Sequence, residues 1–288
     1  MIPLIFGAGG MVGRSLCEHF HAANVPFAGV AHDELDISRE KDLEVLVEKY
    51  KPTVIFNAAA MTRVDQCETE QDRTMEINAH APGRIAAICH RRGIQMVHLS
   101  TDYVFDGKKR SPYNEEDRPA PLSVYARSKA DGERLVLSAM PDALVVRVAW
   151  VFRAGGKTFF SKMHSLIFKQ DRIEAANDKV GNCTYAPDLA TALVAMARRR
   201  VAGLIHFTNE GELSWYDFAE EFLETARRVG LHPACKKVAP ISSSSIKFTA
   251  PRPAYTALDK SRYKRLTGNS IRHWRETLFD FIREKGEI

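Results

Sequence analysis

The sequence predicts an α/β fold: a doubly wound parallel sheet with helices on both faces. Short apolar segments alternate with helical segments through the first half of the 288-residue chain, as in folds built from strand–helix–strand units. Segments such as Val54-Ile55-Phe56 are apolar at consecutive positions, which is typical of strands covered on both faces. The helical segments are long enough to return the chain parallel to the preceding strand.

The first half contains five predicted strands and four predicted helices. Apolar runs place the strands at residues 3–6, 26–31, 53–57, 95–100 and 143–148. Helical periodicity places the helices near residues 12–23, 40–50, 73–92 and 124–139.

The regular alternation weakens after Arg153. Helical patterns follow at residues 158–169, 187–199, 215–229 and 270–284, with one strand at residues 204–207 among them. We therefore expect a first domain over residues 1–152 and a smaller C-terminal lobe over residues 153–288, with segments of the lobe returning to the first domain.

Charge and hydropathy argue against two classes of partner. The chain has 41 Lys and Arg against 36 Asp and Glu, a net charge of +5. This excess is too small to indicate nucleic acid or a membrane surface as a partner. Apolar runs stay well short of the ~20 residues of a membrane-spanning helix, and the start of the chain does not have the pattern of a signal peptide.

The cysteines and histidines predict neither disulfides nor a metal site. The five cysteines are widely spaced without a C-x-x-C motif, which argues against a disulfide framework and a cysteine zinc site. The histidines form no His-Glu-x-x-His motif. We expect a protein of the reducing cytoplasm, and the sequence leaves a monomer and a homodimer open.

A glycine-rich turn follows the first predicted strand and opens a helix. In Gly7-Ala8-Gly9-Gly10-Met11-Val12-Gly13 the glycines at 7, 10 and 13 allow a tight turn and close approach of a pyrophosphate to the helix N-terminus. Val12 occupies the last glycine position of G-x-G-x-x-G. The position of the turn predicts a Rossmann-type dinucleotide site. The choice between NADPH and NADH stays open, because Asp33 favours NADH whereas His32 and Arg14 favour NADPH.

Tyr125 and Lys129 form a candidate acid–base pair. Spaced at i and i+4 on a predicted helix, they share one face. A neighbouring ammonium is expected to lower the pKa of a tyrosine, which could then exchange a proton with an alcohol or carbonyl oxygen. The alternative is an ordinary surface pair.

Thr101 stands at the end of the fourth strand, in Ser100-Thr101-Asp102-Tyr103-Val104-Phe105-Asp106-Gly107. A hydroxyl there could hydrogen-bond the reacting oxygen, and the alternative is a simple loop cap. The glycine turn, the strand-end hydroxyl and the Tyr-x-x-x-Lys pattern occur in this order along the chain. Together they are a far more specific signal of a functional site than any one of them alone.

At these residues the chain resembles the extended short-chain dehydrogenase/reductase superfamily, and within it the dTDP-4-dehydrorhamnose reductase family. The resemblance covers nearly the whole chain. The matching segments are residues 7–13, 35–37, 57–62, 100–107, 121–129, 149–152 and 211–215, with Arg252-Pro253.

The resemblance implies catalytic roles for three residues. Tyr125 would donate the proton, Lys129 would tune it and bind the nicotinamide ribose, and Thr101 would complete the triad. It also implies cofactor contacts over the length of the dinucleotide, made by Gly7, Gly10, Met11, Val12, Asp36, Ile37, Ala58, Ala59, Ala60, Thr62, Tyr125 and Lys129. The sugar pocket would be lined by Val64, Thr101, Asp102, Tyr103, Tyr125 and Trp150, although Asp102 as a loop cap and Trp150 as a core aromatic remain alternatives.

The implied reaction is reduction of the 4-keto group of dTDP-4-dehydro-β-L-rhamnose by NADPH or NADH, with the C-terminal lobe binding this nucleotide-sugar substrate. Some relatives use Mg²⁺ at a dimer contact, for which this sequence shows no local signature. Two alternatives stay open. One is a reductase or epimerase of another nucleotide sugar. The other is a non-catalytic NADP-binding regulatory subunit similar to the methionine adenosyltransferase β subunit.

Overall fold

The structure is a computed structural model that describes residues 1–156 and 158–284. Residues 157 and 285–288 of the predicted C-terminal lobe lie outside the described residues. Within the described part, none of the helices is long and apolar enough to cross a membrane.

The strands and helices alternate as predicted in the first half of the chain. The strands, in chain order, are β1 Pro3–Phe6, β2 Ala28–Val30, β3 Val54–Asn57, β4 Gln95–Thr101, β5 Leu144–Val148, β6 Val151–Phe152, β7 Arg172–Ala176, β8 Val180–Gly181, β9 Thr184–Tyr185, β10 Gly203–His206, β11 Leu213–Ser214 and β12 Lys237–Ile241. The α-helices are α1 Met11–Ala22, α2 Glu40–Tyr50, α3 Val64–Thr69, α4 Gln71–Met75, α5 Ala81–Arg92, α6 Val124–Ala139, α7 Phe159–Lys169, α8 Ala186–Arg198, α9 Trp215–Arg228, α10 Ser261–Thr267 and α11 Trp274–Glu284.

Six strands form one parallel sheet in the order β10-β5-β4-β3-β1-β2. This confirms the predicted doubly wound α/β fold. The chain runs outward from β1 to β2 and then returns to β3 on the other side of β1, so the strand order reverses between β1 and β3. A ligand in such a sheet binds beyond the carboxyl ends of the strands at this reversal.

The sequence prediction differs from the structure in the segment before α5. The single helix predicted at residues 73–92 is α4, a π-helical turn over Glu76–His80, and α5. Pro82 lies in the first turn of α5, where a missing N–H is tolerated. The short helix α3 was not predicted.

Two apolar cores cover the faces of the large sheet. On one face, Leu16 of α1 and Leu193 of α8 pack with Val146 of β5. On the other face, Ile85 of α5 and Val136 of α6 pack with the remaining strand side chains. The helix α8 and the strand β10 both belong to the second half of the chain, so this half completes one face and one edge of the first sheet.

A third core lies within the second half of the chain. It is built largely from aromatic side chains, among them Phe152, Phe160, Phe218, Phe222 and Phe281. Phe152 contacts Phe218 and Phe281 with ring centroids 5.3 and 5.5 Å apart. Burial of each such side chain is worth about 1.5–3 kcal/mol, so this cluster contributes strongly to the stability of the second half of the chain.

Candidate active site

The glycine turn brings three backbone segments into close contact. Gly7 has φ +79°, and a Cβ there would lie 2.7 Å from the backbone nitrogen of Ala59. A Cβ on Gly13 would lie 2.1 Å from the carbonyl oxygen of Gly7. Both positions therefore require glycine, the first for conformation and contact and the second for packing of α1 on the turn. The first turn of α1 carries backbone N–H groups that the helix itself cannot use, which suits a pyrophosphate.

A cleft of about 350 Å³ lies beyond the carboxyl ends of β1, β2 and β3. Most of the predicted cofactor residues line it, namely Gly7, Gly10, Asp36, Ile37, Ala58, Ala59 and Ala60. In the described part of the chain, the other predicted cofactor residues, Met11, Val12, Thr62, Tyr125 and Lys129, are not among its lining. The Val12 side chain is buried in the core on the α1 face of the sheet, so only the backbone of Met11 and Val12 is suited to the predicted pyrophosphate contact.

Asp36 is the acidic group of this cleft. Its carboxylate accepts hydrogen bonds from the backbone and side chain of Ser38, at 3.0 and 2.7 Å, and from Arg73 at 2.7 Å. These bonds outweigh the opposing effect of burial and lower the pKa of Asp36 to about 2. Arg73 and His32 also line the cleft, and they supply positive charge near the end of β2. Asp33, the acid favoured by spacing, is exposed and lies outside the lining.

Thr101 is held at the end of β4. Its side chain is buried, donates a hydrogen bond to Asp102 Oδ1 at 3.1 Å, and accepts one from the backbone N–H of Tyr103 at 3.2 Å. Burial raises the pKa of Asp102 to about 7. Burial therefore favours the protonated form of the carboxyl group beside Thr101.

Tyr125 lies in the first turn of α6, beside Thr101. The helix begins at the Ser123 cap, whose hydroxyl accepts a hydrogen bond from Ala126 N at 3.2 Å, and this cap fixes the direction of the first turn. Burial raises the pKa of Tyr125, and a hydrogen bond with the Thr101 hydroxyl acts in the opposite direction. The ring of Tyr103 packs edge-on against Tyr125, with centroids 6.1 Å apart.

Lys129 lies one turn after Tyr125 and points into the sheet. Its Nζ donates to the carbonyl oxygen of Leu99 at 2.6 Å and lies 3.4 Å from His98 Nε2. Burial lowers the pKa of Lys129 to about 8, although Glu133 raises it. The pKa of Tyr125 is raised rather than lowered as expected, because burial dominates and Lys129 is not among the groups that shift it.

Trp150 is strained and packed among aromatic side chains. It has φ +42°, a conformation that costs of order 1–3 kcal/mol in a non-glycine residue and that clusters at functional sites. Its ring stacks on Phe160 at 5.6 Å and meets Trp215 edge-on at 6.3 Å. Trp150 thus contacts the aromatic core and also lines a pocket.

That narrow pocket lies at the junction of the two halves of the chain. Its lining includes the predicted Tyr103 and Trp150. It also includes residues for which the sequence predicted no role, namely Lys179, Trp215, Phe248, Arg252, Pro253 and Thr256. Arg252 is held by Asp65 of α3, with Nη2 3.0 Å from Oδ2. The Arg252-Pro253 dipeptide was the available sequence signal for this group.

Val64 begins α3, half-buried, on the same short helix as Asp65 and Cys67. Cys67 is close enough to act on the pKa of Tyr125, which brings α3 next to the candidate proton donor. Across the described residues, no group of three or more His, Cys, Asp or Glu side chains is arranged to hold a metal ion.

The reversal of strand order, the glycine turn and the Thr101, Tyr125 and Lys129 constellation together define a Rossmann-type protein of the short-chain dehydrogenase/reductase class. Comparison with known proteins narrows this class. A family model described as the RmlD substrate binding domain matches residues 1–286, and the chain belongs to this family.

Characterised relatives align over almost the whole chain. A dTDP-4-keto-6-deoxy-D-glucose reductase from Streptomyces niveus is 36% identical over 276 residues, covering 96% of this chain and 94% of that protein. A dTDP-4-dehydrorhamnose reductase from Streptomyces griseus is 36% identical over 281 residues, covering 96% and 91%. The crystal structure of dTDP-4-dehydrorhamnose reductase from Bacillus anthracis in complex with NADP superposes with a TM-score of 0.91 at 29% identity, covering 99% of this chain and 100% of that chain.

Proposed function

We propose that this protein is an NAD(P)H-dependent reductase that converts the 4-keto group of dTDP-4-dehydro-β-L-rhamnose to a hydroxyl group. The observation that carries the proposal is the contact of Tyr125 with Thr101 at the carboxyl end of β4. Tyr103, which packs edge-on against Tyr125, lines the pocket of aromatic and cationic side chains. Ala58–Ala60, which follow the neighbouring strand β3, line the cofactor cleft. The relatives named for reduction of dTDP-linked keto sugars support the substrate class.

The cleft suits a dinucleotide. Closely packed backbone at Gly7 and Gly13 leaves room for phosphate oxygens at the start of α1, where free N–H groups and the helix dipole favour negative charge. Asp36 and Ile37 would hold the adenosine end, and Ala58–Ala60 the middle of the cofactor. Thr62 is exposed, so its proposed contact would involve the outer edge of the cleft. The NADP complex of the Bacillus anthracis protein and the positive charge of Arg73 favour NADPH.

A bound nicotinamide supplies the hydride that reduces the sugar C4. Tyr125 donates its proton to the oxygen as the hydride arrives at the carbon. The Thr101 hydroxyl, which donates to Asp102 Oδ1 in this structure, would rotate to donate a hydrogen bond to the same oxygen. Each preorganised donor of this kind contributes a few kcal/mol to transition-state stabilisation. Lys129 would hold the nicotinamide ribose through its ammonium group.

The residues that line the second pocket have the chemistry to bind a nucleoside diphosphate sugar, but the pocket has a volume of about 10 Å³ and would have to open to admit this ligand. Trp150, Trp215 and Phe248 offer flat faces to a base or sugar ring, while Lys179 and Arg252 offer charge to a diphosphate. Asp102, Tyr103 and Val64 would complete the sugar site next to Thr101. We also propose that residues 1–152 supply the cofactor site and the acid–base residues, and that residues 153–288 supply most of the substrate site.

The test is oxidation of NADPH or NADH by the purified protein with dTDP-4-dehydrorhamnose generated in situ, followed by absorbance of the reduced cofactor. We expect substrate-dependent loss of absorbance and a dTDP-linked 6-deoxysugar alcohol by mass spectrometry. Turnover only with a different dTDP-keto sugar, such as the one named for the Streptomyces niveus relative, would reassign the substrate. Binding of cofactor without turnover of any keto sugar would favour the regulatory-subunit alternative.

The five free thiols fit a reducing compartment, and we propose the cytoplasm. We propose a monomer or a homodimer, which sedimentation of the purified protein distinguishes.

A further inference from the structure

Three buried polar side chains from neighbouring elements form a chain beneath the candidate acid–base pair. They are Asn57 at the end of β3, His98 in β4 and Lys129 in α6, with exposures of 1%, 0% and 3%. Asn57 Nδ2 lies 3.2 Å from His98 Nδ1, and His98 Nε2 lies 3.4 Å from Lys129 Nζ. Both nitrogens of the imidazole ring therefore face a polar neighbour.

When Lys129 is charged, only one position of the hydrogen on the His98 ring is compatible with these three side chains. An ammonium group only donates hydrogen bonds, and a neutral imidazole has one donor and one acceptor nitrogen. Burial lowers the pKa of His98 well below its usual value, so the ring stays neutral. Nε2 must then be the acceptor, and the hydrogen must sit on Nδ1.

We propose that His98 is a positioning residue for Lys129, accepting a hydrogen bond from its ammonium at Nε2 and donating one from Nδ1–H to the Asn57 side-chain oxygen. This inference rests on the proposed function, in which Lys129 holds the cofactor ribose. His98 touches neither the cofactor cleft nor the reacting atoms, and it acts through the direction and charge of the lysine side chain.

The proposal requires a half-turn of the Asn57 amide. In the structure Nδ2 faces His98, while Oδ1 accepts a hydrogen bond from the backbone N–H of Ala59 at 3.3 Å. A half-turn brings Oδ1 to the Nδ1–H of His98 and places the Nδ2 group opposite the Ala59 N–H, so the Ala59 N–H loses its acceptor and needs another. Ala59 lines the cofactor cleft, where a bound cofactor would supply that acceptor.

Other charged and titratable groups lie near Lys129. They can also affect its charge, so they must stay the same in every variant that is compared. Glu133 lies one turn further along α6 and raises the pKa of Lys129. Its carboxylate is held by Arg147 of β5, with Nε–Oε1 and Nη2–Oε2 distances of 2.8 and 2.7 Å. From the other direction, Tyr125 precedes Lys129 by one turn of α6, and Asp102 follows the end of β4. All of these groups are kept unchanged in the His98 variants.

The first experiment determines the hydrogen position directly in the wild-type protein. Ring-nitrogen NMR of protein labelled with ¹⁵N-histidine distinguishes an Nδ1–H from an Nε2–H imidazole. With NADPH bound and near neutral pH, we expect His98 as the Nδ1–H form with an unprotonated Nε2. An Nε2–H ring under these conditions would overturn the proposal, whatever the behaviour of any variant.

The second experiment measures NADPH affinity against pH by the fluorescence of the bound cofactor. Wild-type affinity should fall as pH rises through about 8, where Lys129 loses its proton. His98→Met removes the acceptor, and the fall should move to lower pH by about one unit, since a hydrogen bond to a charged group is worth one to two pKa units. His98→Gln retains an acceptor oxygen and should restore most of the wild-type profile.

Val97→Ala is the matched control. Val97 precedes His98 in β4, is 1% exposed and packs in the apolar core on the α1 face of the sheet. This variant should lower the melting temperature while keeping the wild-type pH profile, so a shift seen only in His98→Met is not a consequence of lost stability. A wild-type profile in folded His98→Met would defeat the inference and leave the proposed function intact. A wild-type protein without affinity for either NADPH or NADH would instead defeat the proposed function.

Discussion

Burial favours the uncharged form of each of the three ionisable groups nearest the proposed reaction. It raises the pKa of Tyr125 and of Asp102, and it lowers the pKa of Lys129. For a reduction this bias is useful, because Tyr125 must still carry its proton when hydride reaches the carbonyl carbon. Tyr125 therefore stays protonated in the resting site. The alkoxide that forms on the sugar during reduction is a base strong enough to take the Tyr125 proton.

At the scale of single residues, Tyr125→Phe tests the proton donor. The substitution removes the hydroxyl and keeps the ring that packs against Tyr103, so the fold and the cofactor cleft should persist. We expect turnover to fall by about 100-fold or more, the size of a lost general acid, with NADPH affinity within about threefold of wild type. Steady-state rates and fluorescence titration measure the two quantities. Wild-type turnover in this variant would remove Tyr125 from the mechanism.

Asp102→Asn tests the buried carboxyl group through stability. The folded-state pKa of about 7 exceeds that of an unfolded aspartate, about 3.9. The folded state therefore binds more protons between these values, and wild-type stability is lost as pH rises from about 4 to about 7. The amide of the variant cannot ionise. At pH 8 the melting temperature of the variant should exceed that of wild type. The difference should be about 2–4 °C for each kcal/mol that the buried carboxylate charge costs the wild-type protein, and it should disappear near pH 4. A difference in melting temperature that is constant with pH would contradict the buried-carboxyl argument.

Residue types and spacing were sufficient to identify the acid–base pair, but not its electrostatics. Tyr125 and Lys129 share a helix face in any α-helix, and a strand-end hydroxyl such as Thr101 is visible in the sequence. The direction of the pKa of Tyr125 depends instead on how deeply α6 packs against β4 and α3. The roles of Lys179 and Phe248 depend on loops that approach the site from far along the chain, and no local pattern marks them.

At the scale of elements, the glycine turn and α1 act as one unit. Gly13 faces the carbonyl oxygen of Gly7 across the turn, and rigid backbone lies on both sides of that contact. By contrast, a Cβ on Gly9 would meet the Ala31 side chain at 3.5 Å, an ordinary van der Waals distance. The two glycines therefore differ in what they can tolerate, although they lie four residues apart in the same loop.

Gly13→Ala should force α1 away from the turn. We expect the melting temperature to fall by about 3–10 °C, since overpacking against backbone costs about 1–3 kcal/mol or more, and NADPH affinity to fall because the helix N-terminus moves. Gly9→Ala is the matched control for stability, and its melting temperature should stay within about 2 °C of wild type. Calorimetry or circular dichroism measures both. Equal melting temperatures for the two variants would show that α1 adjusts without cost.

Sequence periodicity predicted the strands of the sheet and most helices, because continuous burial and helical spacing are local properties. It did not predict the break between α4 and α5. The π-helical turn there carries Asn78, whose side chain accepts from Met61 N at 2.8 Å and donates to Ser128 Oγ at 3.1 Å. Such hydrogen bonds join residues that are far apart in the sequence. They set the helix geometry in the folded protein, but they produce no periodic pattern in the sequence.

At the scale of the whole molecule, the two halves of the chain complete each other. The edge strand β10 pairs with β5, and α8 covers α1 on one face of the sheet. Polar contacts cross between the halves as well: Glu115 Oε1 accepts from His206 N at 2.9 Å, and Arg153 pairs with Glu18 at 3.0 Å. The first half without the second would expose the α1 face of its sheet.

Because the two halves of the chain share a sheet and a core, we expect the chain to unfold as one cooperative unit. Tryptophan fluorescence can test this prediction. All three, Trp150, Trp215 and Trp274, belong to or pack against the aromatic core of the second half. Their fluorescence therefore reports on that core, whereas far-ultraviolet circular dichroism reports on helices throughout the chain. We expect urea denaturation curves from the two signals to coincide in midpoint and slope, as a two-state transition requires. A fluorescence transition at clearly lower urea, with a second change in dichroism later, would show that the C-terminal lobe unfolds alone. In that case β10 and α8 would have to contribute much less to the first sheet than their burial implies.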